Sequence, residues 1–132
     1  MIAVDTNVLV RFLVQDDADQ ARIAGDIFDQ LTDTETGFVS REVLIELVWV
    51  LERAYRLGRS EIAGALDALL SSTELVIEGA DDVGPALDLY RNDGFGFADL
   101  MIAAAARRAG ATELVTFDRK AARLPGVRFL LG

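Results

Sequence analysis

The sequence predicts an α/β fold in which a mostly parallel central sheet of about five strands has helices on both faces. Short apolar runs rich in β-branched residues, such as residues 1–4, are typical of buried parallel strands. Longer segments with apolar residues at i, i+3, i+4 and i+7 alternate with these runs and are typical of amphipathic helices. The length of 132 residues, without repeats or a linker, predicts a single domain over residues 1–132.

Polar residues and helix caps divide the first part of the chain. Three polar residues end the first strand, and Gly58 closes the third helix. Ser40 and Ser60 are suitable N-caps for the third and fourth helices. Up to residue 78 we expect, in order, a strand at 1–4, a helix at 8–14, a helix from Asp17 or Asp19 to Leu31, a strand at 38–39, helices at 41–55 and 60–70, and a strand at 74–78.

Glycine and proline mark the elements that follow residue 78. Asp81 or Asp82 is a suitable cap for a helix with Pro85 in its first turns, where proline is tolerated. Gly94 and Gly96 then break the chain. The remaining predicted elements are a helix at 97–109 with Gly110 at its C-cap, a strand at 113–117, a short helix and a last strand at 127–131.

The absence of histidine and cysteine excludes several kinds of active site. A Ser-His or Cys-His nucleophile system is excluded, and so is a zinc site built from thiolates or imidazoles. Disulfide bonds are excluded for the same reason. Any catalysis must therefore use carboxylates, hydroxyls, amines or a metal ion bound by oxygen.

The charge and the N-terminal composition limit partners and location. The net charge is −9, from 13 basic and 22 acidic residues, and by itself argues against non-specific binding to nucleic acid. Residues 1–20 are rich in aspartate and lack a basic n-region, so we expect no secretory signal. No apolar run reaches the ~18 residues that a membrane helix needs. A cytoplasmic location is therefore expected.

Only acidic residues in an unexpected setting are candidates for a site, because 22 of the 132 residues are acidic. A carboxylate outside the apolar stripe of a helix is solvated, whereas one among apolar neighbours must be paired or is costly to bury. Asp67 and Asp88 lie off their stripes and are expected to face solvent. Glu46 has apolar neighbours at every helical angle, and Asp99 is the one polar residue between positions 97 and 106. We therefore expect Glu46 and Asp99 to be buried.

Asp5 and Asp118 each follow a predicted buried strand, at the strand end where α/β sheets bind ligands. All four acids also have a structural explanation. Asp5 and Asp118 are suitable helix N-caps, Asp99 complements a helix dipole from its first turn, and Glu46 is able to pair with an arginine. Convergence at one site accounts for the four together and is the interpretation we favour.

Four carboxylates at one site repel one another unless a cation compensates their charge. Oxygen ligands suit Mg²⁺ or Mn²⁺, which keep bound waters and bind phosphates. Attack of a metal-activated water on a phosphodiester is the chemistry that such a site supports. Candidates to orient a carboxylate or a water are the neighbouring polar residues Thr6, Asn7, Ser40 and Thr116. For Ser40, helix capping is the role we favour.

Four segments combine an acidic residue with apolar neighbours: Val4 to Leu9, Val43 to Leu51, Phe97 to Ala103 and Val115 to Lys120. In this order and spacing they resemble the PIN domain family, and more narrowly its VapC-type toxins, over almost the whole chain. The resemblance implies a PIN-like three-layer sandwich and a Mg²⁺- or Mn²⁺-dependent endoribonuclease, the toxin of a type II toxin–antitoxin pair. It also implies an acidic quartet of metal ligands and catalytic residues, Asp5, Glu46, Asp99 and Asp118. Thr6 or Thr116 would supply a supporting hydroxyl.

The resemblance implies partners as well. Family members are typically held inactive by a cognate antitoxin with a basic segment, which suits the acidic charge of this chain, and homodimers are usual. Trp49 is expected to pack in the core, with a homodimer interface as the alternative. Basic residues beside the motifs are candidates for RNA phosphate contacts, with solvated surface as an equal alternative: Arg11, Arg41, Arg119 and Lys120.

Two kinds of Asp-based phosphotransfer protein are rival interpretations, and both fit poorly. A haloacid-dehalogenase-like phosphatase needs a second aspartate where this chain has Asn7. A response-regulator receiver domain needs an acidic pair after its first strand and a lysine at a late strand end, whereas the sole lysine, Lys120, follows Asp118 closely. A non-catalytic metal- or RNA-binding regulatory module stays the main alternative.

Overall fold

The computed structural model of the chain describes residues 1–131. In that part of the chain, α-helices alternate with short strands, and the paired strands run parallel. These features confirm the predicted α/β class. Two compact units are present, the first formed by residues 1–80 and the second beginning at Asp81. The single domain over residues 1–132 stays a prediction. Within residues 1–131, the helices are too short or too polar for a membrane span.

The elements of the first unit are β1 (Ile2–Ala3), α1 (Thr6–Val14), α2 (Ala18–Gln30), β2 (Gly37–Val39), α3 (Arg41–Arg53), α4 (Arg59–Ser71) and β3 (Leu75–Ile77). The strands form a parallel sheet in the order β1-β2-β3. Ala3 lies opposite Phe38, and Phe38 lies opposite Val76. Helix α1 packs against α2 and α3 and places the residues that follow β1 beside both helices.

Helix α3 shows how its sequence pattern buries one face. Leu44, Leu47, Val48 and Leu51 follow the spacing i, i+3, i+4 and i+7, and each is at most 2% exposed. Burial of one such side chain stabilises the fold by about 1.5–3 kcal/mol relative to exposure. This stripe fixes which face of α3 points into the core.

Two predicted N-caps are confirmed and two were wrong, since the helix Ala80–Asp93 begins before Asp81 and Asp82 and contains both. Asp17 and Ser40 cap α2 and α3 by accepting hydrogen bonds of 3.0 and 3.1 Å from backbone N–H groups in the first turn. Helix α4 begins earlier than predicted, so its N-cap is Gly58 and Ser60 lies inside the helix. The Glu61 side chain accepts a 3.2 Å hydrogen bond from Gly58 N, which replaces the expected serine cap.

The elements that follow are α5 (Ala80–Asp93), α6 (Phe97–Arg108), β4 (Leu114–Thr116), a 3₁₀ turn (Ala121–Arg123) and β5 (Val127–Phe129). Strands β4 and β5 form a two-stranded parallel sheet. Gly94 and Gly96 separate α5 from α6, as predicted, and Gly110 ends α6 in a left-handed conformation (φ +81°). The Tyr90 and Phe97 rings pack edge to face with centroids 6.1 Å apart, which ties α5 to the start of α6.

Strands β1 and β4 are less buried than predicted. Ile2 is 48% exposed and Val115 is 46% exposed, so the expectation of buried strands was wrong at these residues. Strand β1 lies at the edge of its sheet, and β4 belongs to a sheet in which both strands are edges. Hydrogen bonds connect the strands as a group of three and a group of two, where the prediction was one sheet of about five.

Candidate active site

Asp5 lies at the carboxyl end of β1 and is the N-cap of α1. Its backbone is extended (φ −82°, ψ 163°), and its Oδ1 accepts a 2.7 Å hydrogen bond from Thr6 N. The N-cap explanation of Asp5 is therefore confirmed. The residue is nevertheless exposed, and this bond uses Oδ1, so Oδ2 is able to bind a cation at the same time.

Thr6 follows Asp5 directly and is buried, with 5% of its surface exposed. Within residues 1–131, its Oγ1 has no hydrogen-bond partner. A buried polar group without a partner costs about 1–3 kcal/mol, which a bound water or ligand oxygen would relieve. The Thr6 hydroxyl therefore supports a hydrated or liganded site beside Asp5.

Glu46 lies on the exposed face of α3, so the prediction that it is buried was wrong. At about 100° per residue, Glu46 is roughly 150° around the helix from the centre of the leucine-rich stripe. Trp49 lies on the same face and is 57% exposed, so its predicted core packing was also wrong. The Arg53 guanidinium carbon is 5.8 Å from the Trp49 ring centre, at cation–π distance. Apolar neighbours in sequence did not bury Glu46, because α3 keeps part of its apolar surface exposed.

Asp99 is in the first turn of α6 and is partly buried. Burial raises the pKa of its carboxyl group above the ordinary value, and the negative charge of Asp118 raises this pKa further. These two carboxylates therefore lie close enough to repel each other. Asp67 and Asp88, by contrast, are exposed, as predicted.

Asp118 lies in the turn after β4, where the hydroxyl of Thr116 holds the backbone. Asp118 N donates a 3.0 Å hydrogen bond to Thr116 Oγ1. Asp118 Oδ1 accepts a 2.9 Å hydrogen bond from Ala121 N at the start of the 3₁₀ turn. The N-cap of the 3₁₀ turn is Lys120, so the predicted N-cap role of Asp118 was wrong, although its carboxylate still binds the first N–H group of the turn. Thr116 supports this carboxylate through the backbone.

Two basic residues follow Asp118 and rest on aromatic rings. The Arg119 guanidinium carbon lies 4.6 Å from the centre of the Phe129 ring, and Lys120 Nζ lies 5.3 Å from the centre of the Phe95 ring. Both basic side chains are exposed, so their charges also face solvent. Rings beneath them restrict their positions without neutralising them.

Arg11 has a different environment, because its guanidinium group is hydrogen-bonded to other side chains of the first unit. It donates hydrogen bonds to Gln20 Oε1 at 2.6 Å and to both Asp16 Oδ1 and Tyr55 OH at 2.9 Å. Tyr55 OH in turn donates to Asp16 Oδ2 at 2.9 Å. The Tyr55 hydroxyl and the Arg11 charge lower the pKa of Asp16.

Arg41, the fourth basic candidate, lies at the start of α3 and donates its backbone N–H to Glu78 Oε1 at 2.9 Å.

The acidic and hydroxyl-bearing candidate residues offer carboxylate and hydroxyl oxygens as metal ligands. Mg²⁺ and Mn²⁺ prefer such oxygen ligands. Repulsion between Asp99 and Asp118 fits a bound cation in the second unit. In the first unit, the unsatisfied Thr6 hydroxyl beside Asp5 fits a bound water. Within residues 1–131, no three acidic side chains are gathered closely enough to hold a metal ion. The convergence of all four acids therefore stays a prediction.

The sequence analysis missed two features beside Asp99. Gly96 was assigned only as a chain break, yet it is the N-cap of α6. Phe95 was not singled out, although its ring lies beneath Lys120. A glycine three positions before an acid, where serine, threonine, aspartate or asparagine is the usual cap, was the available signal for Gly96.

The parallel strands and the helices that alternate with them define an α/β protein. The chain belongs to the PIN domain family, since the family model matches residues 2–127. This match confirms the resemblance that the motifs indicated.

The chain is similar to two named proteins. The chain is 30% identical over 125 residues to a protein named VapC ribonuclease from Aquifex aeolicus (strain VF5), a match that covers 94% of this chain and 92% of that protein. The solved structure of Mycobacterium tuberculosis VapC20, titled a sarcin-ricin loop cleaving toxin, is 26% identical with a TM-score of 0.47. That similarity covers 97% of this chain and 99% of the VapC20 chain.

Proposed function

We propose that the protein is a Mg²⁺- or Mn²⁺-dependent endoribonuclease that acts as the toxin of a type II toxin–antitoxin pair. Membership of the PIN domain family and similarity to a VapC ribonuclease support the ribonuclease assignment. The single observation that carries the metal dependence is the partly buried Asp99 beside the negative charge of Asp118. A bound divalent cation would offset the repulsion between these two carboxylates.

The proposed metal ligands and catalytic residues are Asp5, Glu46, Asp99 and Asp118. When bound, a divalent cation supplies an activated water and neutralises charge at the scissile phosphate. Asp5 and Asp118 each commit Oδ1 to a backbone N–H, which fixes the direction of the second oxygen. Thr116 holds the Asp118 backbone, and the buried Thr6 hydroxyl is suited to hold a water.

Ser40 and Asn7 have smaller proposed roles. The Ser40 hydroxyl is used in the N-cap of α3, so its support for the site consists of placing the helix that carries Glu46. Asn7 is exposed and lines a cavity of about 250 Å³ with Ile23 of α2. Its amide is therefore accessible to a ligand near Asp5.

RNA phosphates are proposed to contact the exposed cations that follow Asp118. Arg119 and Lys120 fit this role best because aromatic rings restrict them while solvent reaches their charges. Arg11 fits it less well, since its guanidinium already serves Asp16, Gln20 and Tyr55. Arg119→Ala should weaken RNA binding in a filter-binding titration and leave metal affinity unchanged. Unchanged RNA affinity would remove Arg119 from the contact set.

The proposed protein partners are a cognate antitoxin and a second copy of the chain. A net charge of −9 suits an antitoxin segment that is basic. The exposed Trp49 face of α3 suits the homodimer contact that the sequence analysis left as an alternative to core packing. A cytoplasmic location follows from the RNA substrate and is part of the proposal.

A non-catalytic metal- or RNA-binding module is the second candidate function. The absence of a gathered group of three acids within residues 1–131 is the observation that favours it. Such a module would bind metal or RNA without turnover. Membership of the PIN domain family gives no support to the phosphotransfer interpretations.

RNA cleavage by purified, antitoxin-free protein tests the proposal. We expect products with Mg²⁺ or Mn²⁺, none with EDTA, and none from folded Asp5→Asn or Asp99→Asn. Asp88→Asn is the matched control, because Asp88 is an exposed helical aspartate outside the proposed site. If total RNA stays intact, Mn²⁺ binding is titrated next, and metal binding without turnover would favour the module. Absence of both cleavage and metal binding would contradict the nuclease proposal.

A further inference from the structure

Gly96 is the N-cap of α6, and its backbone conformation does not require glycine. Its φ of −67° and ψ of 137° are accessible to any residue. Serine, threonine, aspartate and asparagine are favoured at N-caps because their side chains accept a hydrogen bond from the first turn. At Gly96 this cap hydrogen bond is absent, as the cap has no side chain. Glycine is also accepted at N-caps, so the feature that is specific to position 96 is the space around it.

The space beside Gly96 is taken by the carboxylate of Asp99. A Cβ atom at Gly96 would lie 3.0 Å from Asp99 Oδ2 and 3.7 Å from Asp99 Cγ. These are the two contacts within 4 Å that a Cβ would make outside the adjacent backbone. The first is shorter than an ordinary van der Waals contact of a Cβ atom, which begins at 3.4 Å. The carboxylate thus folds back over the helix N-terminus into the volume that a cap side chain would fill.

We propose that Gly96 is a positioning residue for Asp99, whose missing side chain allows the carboxylate to take the position from which it would bind the divalent cation. The inference rests on the proposed metal dependence and adds a residue that the motif pattern does not include. A Cβ at position 96 would displace the carboxylate by a few tenths of an ångström, since the atom it meets is the end of a side chain rather than backbone.

Cations differ in how strongly such a displacement affects them. Mg²⁺ requires nearly ideal octahedral geometry at about 2.0–2.1 Å, whereas Ca²⁺ accepts variable geometry at about 2.3–2.6 Å. A substitution at Gly96 should therefore weaken Mg²⁺ binding more than Ca²⁺ binding. A general loss of folding would weaken both ions alike, so the two affinities separate positioning from misfolding.

The test compares Gly96→Ala with Gly64→Ala by calorimetric titration of Mg²⁺ and of Ca²⁺ into antitoxin-free protein. Gly64 is the matched control, because it lies inside α4 and a Cβ there would meet nothing within 4 Å. We expect Gly96→Ala to lower Mg²⁺ affinity by about 10-fold, the lower end of the effect of losing a group that orients a metal ligand. Ca²⁺ affinity should fall less, and Gly64→Ala should bind both ions like the wild type.

A double-mutant comparison identifies the residue through which Gly96 acts. In an Asp99→Asn background, Gly96→Ala should cause no further loss of Mg²⁺ affinity, because the carboxylate that it displaces is gone. Unchanged Mg²⁺ affinity in folded Gly96→Ala, or an equal loss in the Asp99→Asn background, would overturn the inference alone. Failure of the wild type to bind either ion would instead overturn the metal site, and the role of Gly96 with it.

Discussion

Helices α3 and α6 each carry one acidic residue among apolar neighbours, yet the two residues have different surroundings. Glu46 is exposed on α3, on the face that also presents Trp49, whereas Asp99 on α6 is partly buried near Asp118. The buried stripe of α3 is narrow, and Glu46 lies roughly 150° from its centre at about 100° per residue. The buried stripe of α6 is wider and includes Ala103, which lies only about 40° from Asp99.

The difference shows that the exposure of an acidic residue on a helix depends on how wide the buried stripe is. It does not depend on how many apolar residues are its neighbours in sequence. The buried residues of α6 include Ala103 and Ala104, so Asp99 lies next to a buried position and is itself partly buried. On α3 the apolar residue Trp49 is exposed, and Glu46 on the same face is exposed to solvent as well. Asp99 is therefore held near the like charge of Asp118 at a cost in stability.

The largest expected effect is on cleavage. Asp99→Asn and Glu46→Gln should each reduce the cleavage rate by more than about 100-fold, since losing a ligand exceeds the 10–100-fold effect of losing its supporting group. The two variants should differ in stability, because only Asp99→Asn removes a carboxylate that is partly buried. Thermal melts in EDTA measure this difference. Full cleavage by folded Glu46→Gln would restrict the site to the remaining acids.

The next largest effect concerns the two faces of α3. Leu47 is 0% exposed, so Leu47→Ala should lower the free energy of unfolding by about 2–5 kcal/mol. Trp49→Ala should change it by no more than about 1 kcal/mol, since Trp49 is 57% exposed and its contact with Arg53 is worth roughly 0.5–1 kcal/mol. Urea unfolding measures both values. If Trp49 belongs to a homodimer contact, sedimentation should show weaker association for Trp49→Ala, and unchanged association would exclude that contact.

A smaller effect is expected in the pH dependence of stability. The pKa of Asp99 is raised in the folded protein, so the folded state binds a proton more tightly than the unfolded chain. Ionisation of Asp99 therefore lowers stability as the pH rises through this pKa. Asp99→Asn should raise Tm at neutral pH, and the gain should vanish as the pH falls toward the ordinary value of 3.8. Melts in EDTA at several pH values check this. A gain in Tm that persists at low pH would show that ionisation of Asp99 is not its cause.

The smallest effect is expected on the exposed face of α3. Arg53→Ala removes the guanidinium above the Trp49 ring, a contact worth roughly 0.5–1 kcal/mol at an exposed site. Urea unfolding of Arg53→Ala beside Arg22→Ala, another exposed helical arginine, measures it. An equal effect of both substitutions would show that the ring contact adds nothing to stability.

The order of elements was predictable because it depends on local patterns. Periodic apolar residues, the caps at Asp17 and Ser40 and the breaks at Gly94 and Gly96 act within a few residues of chain. The restriction of any metal site to oxygen ligands also follows from composition alone, since the chain has no histidine or cysteine. Family membership followed from the same acidic motifs and is confirmed by the match over residues 2–127.

Exposure and the roles of individual polar groups depended on packing between elements distant in sequence. The amino acids around Glu46 and Trp49 are apolar in either case, and only the packing of α3 against its neighbours selects the face that is buried. The partnership of Arg11 with Tyr55 joins residues 44 positions apart. The space at Gly96 exists only because the Asp99 carboxylate folds back over it. Sequence patterns define which side chains are available, whereas desolvation and close contact arise only where the folded elements meet.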